Sequence, residues 1–501
     1  MDIVSGRPGR SGCDAPAGVA VDVSAVAWDD TGEESMPAHP GAVGTSSRGA
    51  ASRPVSEDRE APFTVEELFF STTDRRGRIR SGNQVFVRTS GYARDELLGR
   101  PHNLIRHPDM PRTAFWLLWR AISDGEPFAA YVKNRAKDGA YYWVLAYVVA
   151  AADGYLSVRL KPTSALFEVV QQVYGEMLAV EADHEDGSRA GREAGMAAAE
   201  QLLLQRLGEH GFESYEQFMH AALVREARAR EAVLDTGRSA GGIGTGDPRI
   251  QPVLEACQRL DDLLDGLVGD MDDHVHLREV LEGRSRFVLS LAERIRLHSF
   301  NALFASSRLG ERGAALSAVA SIMREHSDAI RPTVAAVDAQ FTTAVAELEQ
   351  LAFEAAAGRL QTEMALHFLR DVTADADVGT ALTDTAVLVD CLTESVMSLC
   401  DSLDELHTRL AALLGSVDAL ERDLGRLRAL EVNGRVEDAR VGNDAGQTLF
   451  DVIGDELRAA QEEIGAIKRD SERLVGNDSV ATAQVRREVR GLREVTTAHT
   501  G

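Results

Sequence analysis

Apolar residues in the C-terminal half of the chain fall at regular helical spacing. From Leu392 to Leu427 the steps between them alternate four and three without a miss. The positions are Leu392, Val396, Leu399, Leu403, Leu406, Leu410, Leu413, Val417, Leu420, Leu424 and Leu427. An average period of 3.5 residues keeps one stripe of a helix turned toward a partner helix. The spacing therefore predicts a long coiled-coil helix.

A second stripe follows a polar, glycine-bearing stretch from Asn433 to Gly446. Its members are Phe450, Ile453, Leu457, Ala460, Ile464, Ile467, Ser471 and Leu474. Two amphipathic helices separated by a polar break are typical of an antiparallel helical hairpin. We therefore expect the chain to reverse direction within Asn433–Gly446.

An earlier segment repeats this plan more loosely around the break Gly310–Gly313. Its apolar-stripe positions are Leu277, Leu281, Val288, Leu291 and Ile295 before the break, and Leu316, Val319, Met323, His326 and Ile330 after it. Asn301, Arg308 and Gly310 also recur at equal offsets as Asn433, Arg440 and Gly442. These matches indicate a degenerate repeat of one hairpin unit. The alternative is that helices rich in Ala, Leu and Arg resemble one another by composition.

Residues 62–163 have a different pattern, in which short strand-like and helix-like runs alternate. The predicted strands are Phe69–Thr73, Arg78–Ser81, Tyr131–Lys137, Tyr141–Ala150 and Tyr155–Pro162, and the predicted helices are Asn83–Val87, Ala93–Gly99 and Pro111–Asp124. Asp74–Gly77 and Asp138-Gly139 supply the residues of tight turns. The order β-β-α-α-α-β-β-β predicts a compact α+β domain, followed by an all-α region of coiled-coil hairpins.

These residue patterns predict five segments of the chain. Residues 1–60 are rich in Gly, Ala, Ser and Pro without a periodic apolar pattern, so we expect a disordered tail. The further segments are the α+β domain at 61–165, a helical linker at 166–250, a first hairpin at 251–375 and a second hairpin at 376–501. Polar breaks at Asp183–Gly195 and Gly237–Pro248 interrupt the linker.

Charge and composition narrow the function. The 501 residues hold 54 Lys and Arg against 79 Asp and Glu, a formal net charge of -25, which disfavours binding to nucleic acid. The 4 cysteines form no CxxC pair, and no apolar run approaches the roughly 20 residues that span a bilayer. We expect a cytoplasmic protein without a membrane span. Phosphate-loop, zinc-helix and nucleophile-elbow motifs are absent, so we do not expect an enzyme.

The α+β segment resembles the PAS domain of bacterial aerotaxis receptors over about a hundred residues. The most specific part is the block His-Asn-x-x-Arg-His-Pro-Asp-Met-Pro at 102–111. The matching stretches are Asn83–Phe86, Ser90–Tyr92, Glu96-Leu97, Pro101–Pro111, Val132–Arg135, Tyr142–Val144 and Leu156–Arg159. The resemblance implies a PAS fold that binds FAD and reports redox state or oxygen.

By position, the resemblance implies that Arg106, His107 and Asp109 contact the flavin or shape its pocket, together with Asn83, Trp119 and Asn134. An apolar slot for the ring would be formed by Phe115, Trp119, Phe128, Tyr142 and Trp143. Phe128 stands where the family commonly has Trp, which reduces stacking area. Alternatively, Arg106, His107 and Asp109 form an ion-paired cap on a domain without cofactor, or His102 or His107 ligates haem.

Residues 295–327 are similar to the cytoplasmic signalling tip of methyl-accepting chemotaxis proteins. The matching residues are Asn301, Ala302, Arg308, Gly310, Glu311, Gly313, Val319, Ala320 and Arg324. This resemblance implies a chemotaxis histidine kinase and its coupling protein as partners. Ala305 and Leu316 replace a Glu and a Phe of the family's contact surface, so a generic coiled coil that spaces domains or joins two copies is the alternative.

The sequence thus predicts a homodimeric bacterial sensor in which a PAS domain detects redox state or oxygen through FAD and relays it through coiled-coil hairpins. A scaffold or interaction protein with a cofactor-free PAS domain is one alternative. A haem-based gas sensor is another.

Overall fold

The computed structural model describes residues 59–235, 249–266, 310–372, 378–441 and 444–500, and scattered residues between 290 and 308. The predicted tail, apart from Arg59 and Glu60, lies outside the described residues. So do the linker break Gly237–Pro248 and the stripe positions Leu277, Leu281, Val288, Leu291 and Ile295.

A five-stranded antiparallel sheet with the order β2-β1-β5-β4-β3 forms the first domain. The strands are β1 Phe69–Asp74, β2 Ile79–Gly82, β3 Phe128–Arg135, β4 Tyr141–Ala151 and β5 Gly154–Leu160. Between β2 and β3 lie α1 Gln84–Ser90, α2 Arg94–Leu97, a 3-10 turn His102–Ile105 and α3 Arg112–Ser123. The predicted element order is confirmed, although β3 begins three residues before the predicted Tyr131.

Local chemistry explains where these elements begin and turn. In the β1–β2 turn, the Asp74 carboxylate accepts backbone N–H groups of Arg76 and Arg78 at 2.8 and 2.9 Å, and Gly77 adopts a positive φ of 73°. A Cβ at Gly77 would also lie 3.2 Å from the Trp119 ring. Asn83 caps α1 by accepting the Phe86 N–H at 3.2 Å.

Among the described residues, seven helices of 16 residues or more follow the sheet. They are α4 Ala165–Asp183, α5 Arg189–Glu209, α6 Tyr215–Asp235, α7 at 251–266, α8 Ala314–Asp371, α9 Val378–Val441 and α10 Asp444–Thr500. A 3-10 turn, Gly310–Gly313, stands at the predicted first break. Among the helices described, none combines the length and the apolar composition that crossing a membrane requires.

The long helices pack antiparallel in sequence order. Early α9 meets late α8 where Gln361 donates to Ser395 at 2.7 Å. Late α9 meets early α10 where Arg428 donates to Gln461 at 2.7 Å. Helix α7 is the fourth member of the group, because it forms ion pairs with both α8 and α10. Asp265 of α7 pairs with Arg359 of α8 at 2.7 Å, and Arg259 of α7 pairs with Glu488 of α10 at 3.1 Å. Both hairpin units therefore belong to one four-helix bundle within a single chain.

The predicted stripe from Leu392 to Leu427 is buried at every position, at 2% exposure or less. Six of its neighbours on α10 from Phe450 to Ile467, and Ser471, are also buried, while the Leu474 side chain lies outside the description. Together they form one core that runs along the bundle. The seam that predicted a partner helix is therefore covered by helices of the same chain.

The helix bounds refine the prediction at two places. Helix α9 continues through Asn433 to Val441 and α10 begins at Asp444, so the change of helix falls inside the predicted stretch Asn433–Gly446, although most of that stretch is helical. Gly434 leaves room for the Phe450 ring of α10, because a Cβ at this position would clash with that ring. On α8 the buried stripe contains Ala320 and Ser327 rather than the predicted Val319 and His326.

The bundle packs against one face of the sheet, which we call the outer face. Phe70 of β1 meets Phe368 of α8 edge-to-face, with ring centroids 5.1 Å apart. Tyr147 of β4 meets Phe353 of α8 in the same way at 5.9 Å. Helices α4 and α6 cover the rest of this face around Tyr131. The opposite, inner face is covered by α1, the 3-10 turn and α3.

Candidate functional site

The loop Arg106–Met110 lies against strand β3. Arg106 forms an antiparallel bridge with Asn134, and the His107 N–H donates to the Lys133 carbonyl at 3.3 Å. The Arg106 guanidinium donates to the Met110 carbonyl at 2.9 Å and lies 4.6 Å from the Phe115 ring centroid. The fold thus brings Arg106, His107 and Asn134 together, as well as Asp109.

Asp109 and His107 are held by polar contacts within this loop. Lys133 donates to the Asp109 carboxylate at 2.9 Å, and the Asp109 N–H donates to His107 Nδ1 at 3.1 Å. The imidazole is 1% exposed. Burial, followed by the charge of Lys133, lowers the pKa of His107 to about 4, so the ring is neutral near pH 7.

The other predicted site residues lie away from this loop. Asn83 caps α1 and donates from its amide to the Leu68 carbonyl at 3.1 Å. Trp119 packs edge-to-face on Tyr155, with centroids 5.6 Å apart. Phe128 stacks on Tyr215 of α6 at 5.2 Å. The flavin roles assigned to all seven residues stay predictions.

The expected place of Trp143 in the apolar slot is wrong. Its ring packs on Phe167 and Tyr174 of α4, on the outer face. Its neighbour Tyr142 packs against Phe69 on the inner face at 6.2 Å. Successive side chains of a strand point to opposite faces, so Tyr142 and Trp143 could not share one slot.

A buried polar cluster on the inner face was not predicted. Arg159 of β5 donates to Ser71 Oγ at 2.9 Å and lies 2.8 Å from His102 Nε2. The guanidinium carbon is 5.5 Å from the Phe69 centroid and 5.8 Å from the Phe86 centroid. An arginine between two apolar residues, Val158 and Leu160, in a predicted strand was the available signal.

His102 completes this cluster as a neutral ring. Burial, followed by the charge of Arg159, lowers the pKa of His102 to about 3. Its Nε2 therefore accepts the Arg159 N–H, and the ring stacks on Phe86 with centroids 6.1 Å apart. The nitrogen lone pair that a haem iron would need is already used in this hydrogen bond.

Three buried polar atoms of the inner face have no hydrogen-bond partner among the described residues. They are Asn134 Nδ2, Tyr142 Oη and Ser157 Oγ. Asn134 and Tyr142 are cross-strand partners, so their side chains share a face, and Ser157 pairs with Ser71 on the same face. Small side chains, Ala130 and Ala146, lie between them on β3 and β4.

This donor and acceptor set fits a planar heteroaromatic ring such as flavin. A flavin presents several nitrogen and oxygen atoms along one edge and an apolar face beside them, and buried polar groups normally find partners. Within the part of the chain described, no group of three His, Cys, Asp or Glu side chains is placed to hold a metal ion.

Comparisons with known proteins agree with this fold. Residues 80–155 match the family model described as PAS fold. The aerotaxis receptor of Escherichia coli (strain K12) is 39% identical over 129 residues, which are 25% of this chain and 26% of that protein. The nitrogen fixation regulatory protein of Klebsiella pneumoniae is 31% identical over 85 residues, 16% of this chain and 17% of that protein.

The chain therefore matches about a quarter or less of the length of these relatives. Among solved structures, the light state structure of the blue-light photoreceptor Aureochrome1 LOV is 24% identical, with a TM-score of 0.19, over 21% of this chain and 88% of that chain. The chain contains a PAS domain followed by a long helical region.

Proposed function

We propose that this chain is a non-enzymatic signalling sensor whose PAS domain binds FAD on the inner face of the sheet and responds to redox state or oxygen. The observation that carries the proposal is the set of unpartnered polar atoms at Asn134, Tyr142 and Ser157. The similarity to an aerotaxis receptor over the same region supports it.

Bound FAD would supply reversible electron uptake, with a change in charge and proton content at the ring edge. The chain's own residues hold that edge. Asn134 offers an amide donor and Tyr142 offers a hydroxyl, while Arg106 bridges to Asn134 of β3 through its backbone. Phe69 and Phe86, stacked at 5.8 Å, form the apolar wall.

The sheet offers a short route from this site to the bundle. β1 carries Phe69 on its inner face, and the next residue, Phe70, contacts Phe368 of α8 on the outer face. β4 carries Tyr142 inward and Tyr147 outward against Phe353. A shift of these strands therefore changes the packing of α8 directly.

The absorbance spectrum of the purified full-length chain tests the proposal. We expect a flavin absorbance band at about 450 nm that bleaches on reduction. Asn134→Ala should lower FAD affinity about tenfold, the cost of one lost hydrogen bond to the ring. The matched control is Arg135→Ala, the next residue of β3, whose side chain points to the other face. A folded, colourless chain that cannot be reconstituted with FAD would refute the proposal.

A cofactor-free interaction domain is the second candidate function. The mutual stacking of Phe69, Phe86 and His102 across the inner face favours it, because these rings already bury one another. In that case Asn134→Ala would change neither colour nor affinity for any flavin. The spectrum therefore separates the two candidates.

We further propose that the end of the bundle near Gly310 contacts a chemotaxis histidine kinase or its coupling protein. Exposed apolar side chains occur on the helical residues near Gly310–Gly313 and near the junction of α9 and α10. They are Leu297, Phe300, Phe304, Ile322, Val432, Val436 and Val452. Exposed apolar clusters of this kind mark interaction surfaces. Capture of the purified kinase by the wild-type chain, and loss of capture with Phe304→Asp, would support this contact. Equal capture by both proteins would contradict it.

A further inference from the structure

Arg159 is a buried arginine with no opposite charge beside it among the described residues. It is the next-to-last residue of β5 and is 4% exposed. Its register partner on β1 is Phe69 and on β4 is Ala146, so its side chain enters the inner face between an aromatic ring and a small residue. The positive charge therefore lies among the groups assigned above to the FAD site.

All the hydrogen-bond and ring partners of Arg159 are neutral. They are the Ser71 hydroxyl, the His102 imidazole and the faces of Phe69 and Phe86. Since the pKa of His102 is lowered to about 3, that ring brings no charge of either sign near pH 7. Among the described residues, no Asp or Glu lies within ion-pair distance of the guanidinium.

Arg230 provides a comparison within the same chain. It is buried to the same degree, at 3% exposure, but it forms an ion pair with Glu363 and donates to two backbone carbonyls, those of Val65 and Glu66. Removing a charge from water without an opposite charge is strongly unfavourable. Arg230 meets this cost with a carboxylate, and Arg159 does not.

We propose that Arg159 is the counter-charge for a negatively charged, reduced flavin ring, and that it sets the reduction potential of the bound cofactor. This inference rests on the proposed function. Two-electron reduction of bound FAD would place one proton on N5 and leave one negative charge on the ring, unless a second proton bound at N1. The cation of Arg159 would then stabilise the charged product over its neutral, doubly protonated form.

His102 and Ser71 are positioning residues in this arrangement. Each uses one guanidinium N–H, which leaves the remaining donors of Arg159 for the ligand. The two contacts fix the plane of the guanidinium against the sheet. A lysine could keep the charge at this place but not the fixed plane.

The test uses the full-length chain reconstituted with FAD and titrated with dithionite in the presence of a reference dye. Dithionite supplies two electrons as it is oxidised with water to two bisulfite ions, and the ring takes up the electrons and one proton. The variants are Arg159→Gln, which removes the charge, and Arg159→Lys, which keeps it. Arg80→Gln on the exposed side of β2 is the control.

For Arg159→Gln we expect a potential that is more negative by about 30 mV, which is a tenfold loss of preference for the reduced form of a two-electron couple. The absorbance of the reduced flavin, followed against pH, should show N1 taking up a proton at a higher pH than in the wild type. Arg159→Lys should recover most of both shifts, and Arg80→Gln should show neither.

An Arg159→Gln chain with the wild-type potential and the wild-type N1 protonation would overturn this inference alone. If Arg159→Gln folds but binds no FAD, binding by Arg159→Lys supports the inference, and failure of both variants to bind overturns it. A folded wild-type chain that takes up no FAD overturns the proposed function itself.

Discussion

At the scale of single residues, His107 illustrates how burial decides protonation. Its Nδ1 accepts the Asp109 N–H, a contact that only the unprotonated nitrogen can make. Lys133 stands close by, so protonation would place a second positive charge in the same loop. The native state therefore holds this imidazole neutral, whereas the unfolded chain protonates it below its ordinary pKa of about 6.5.

The sign of the resulting pH dependence follows from the lowered native pKa. Below about pH 6.5 the unfolded state binds a proton that the native state excludes until about pH 4. The native state keeps the full benefit of a neutral His107 above about pH 6.5. As the pH falls from there toward 4, the free energy of unfolding decreases by about 1.4 kcal/mol per pH unit. We expect the free energy of unfolding of His107→Gln to rise less steeply with pH between 4.5 and 6 than that of the wild type. The difference in slope should correspond to about one bound proton.

Urea unfolding at several pH values measures this slope. His184→Gln is the control, because its ring is exposed near the end of α4. Equal slopes for the wild type and His107→Gln would show that His107 is protonated in the native state as readily as in the unfolded chain.

The sequence predicted several site residues but not their surroundings. The loop residues Arg106, His107 and Asp109 were predicted from the resemblance to aerotaxis receptor PAS domains, whose matching positions they occupy. The faces of the strands follow from alternation, which would have excluded Trp143 from the slot. The isolation of Arg159 from every described carboxylate depends on the positions of all the neighbouring elements, and no local pattern contains that information.

At the scale of elements, the joint between the sheet and the linker is held by one carboxylate. Glu226 of α6 is fully buried and accepts the backbone N–H groups of Thr163 and Ser164 at 2.6 and 2.9 Å. It also accepts the hydroxyls of Ser164 and Tyr131, at 2.7 and 2.9 Å. The chain leaving β5 is thus fixed to α6 just before α4 begins.

We expect Glu226→Gln to lower the free energy of unfolding by about 2 kcal/mol. The amide has one acceptor oxygen in place of two, and its NH₂ group would face backbone donors that then lose their partner. Glu216→Gln, an exposed change on the same helix, should cost less than about 0.5 kcal/mol. Similar denaturation midpoints for both variants would contradict the role given to Glu226.

The contact between β4 and α8 gives a second prediction at this scale. Phe353 is 1% exposed and packs on Tyr147 at 5.9 Å and on His220 of α6 at 4.3 Å. Phe353→Ala should cost about 3–5 kcal/mol, because it empties a volume between three elements. Phe304→Ala, at 71% exposure, is the matched change and should be nearly neutral in urea unfolding.

The helical elements themselves were predicted well where their period was strict. Every seam position of α9 is buried because a 4-3 repeat determines one face of a long helix. The stripe of α8 was misplaced by one residue at Val319 and His326, because Val319 is more strongly apolar than Ala320 and Ser327 is polar. Phe450 of α10 packs closely on Gly434 of α9, a contact between two helices that sequence spacing does not reveal.

At the scale of the whole molecule, the two hairpins complete each other's core. The seam that favoured a homodimer is occupied within the chain, so the predicted homodimer has lost that support and stays a prediction. We expect the midpoint of thermal unfolding, followed by helical circular dichroism, to be constant over a hundredfold range of protein concentration. A midpoint that rises with concentration would show that a second copy stabilises the helical core.

A bundle assembled from one polypeptide also differs genetically from one assembled from two identical subunits. In a symmetric pair each substitution appears twice, and each seam side chain must tolerate its own duplicate across the axis. Here Leu316 and Leu427 occur once each, and their neighbours are different residues. The sequences of the two hairpins are therefore free to diverge. The end of one hairpin can change its surface while the end of the other stays the same.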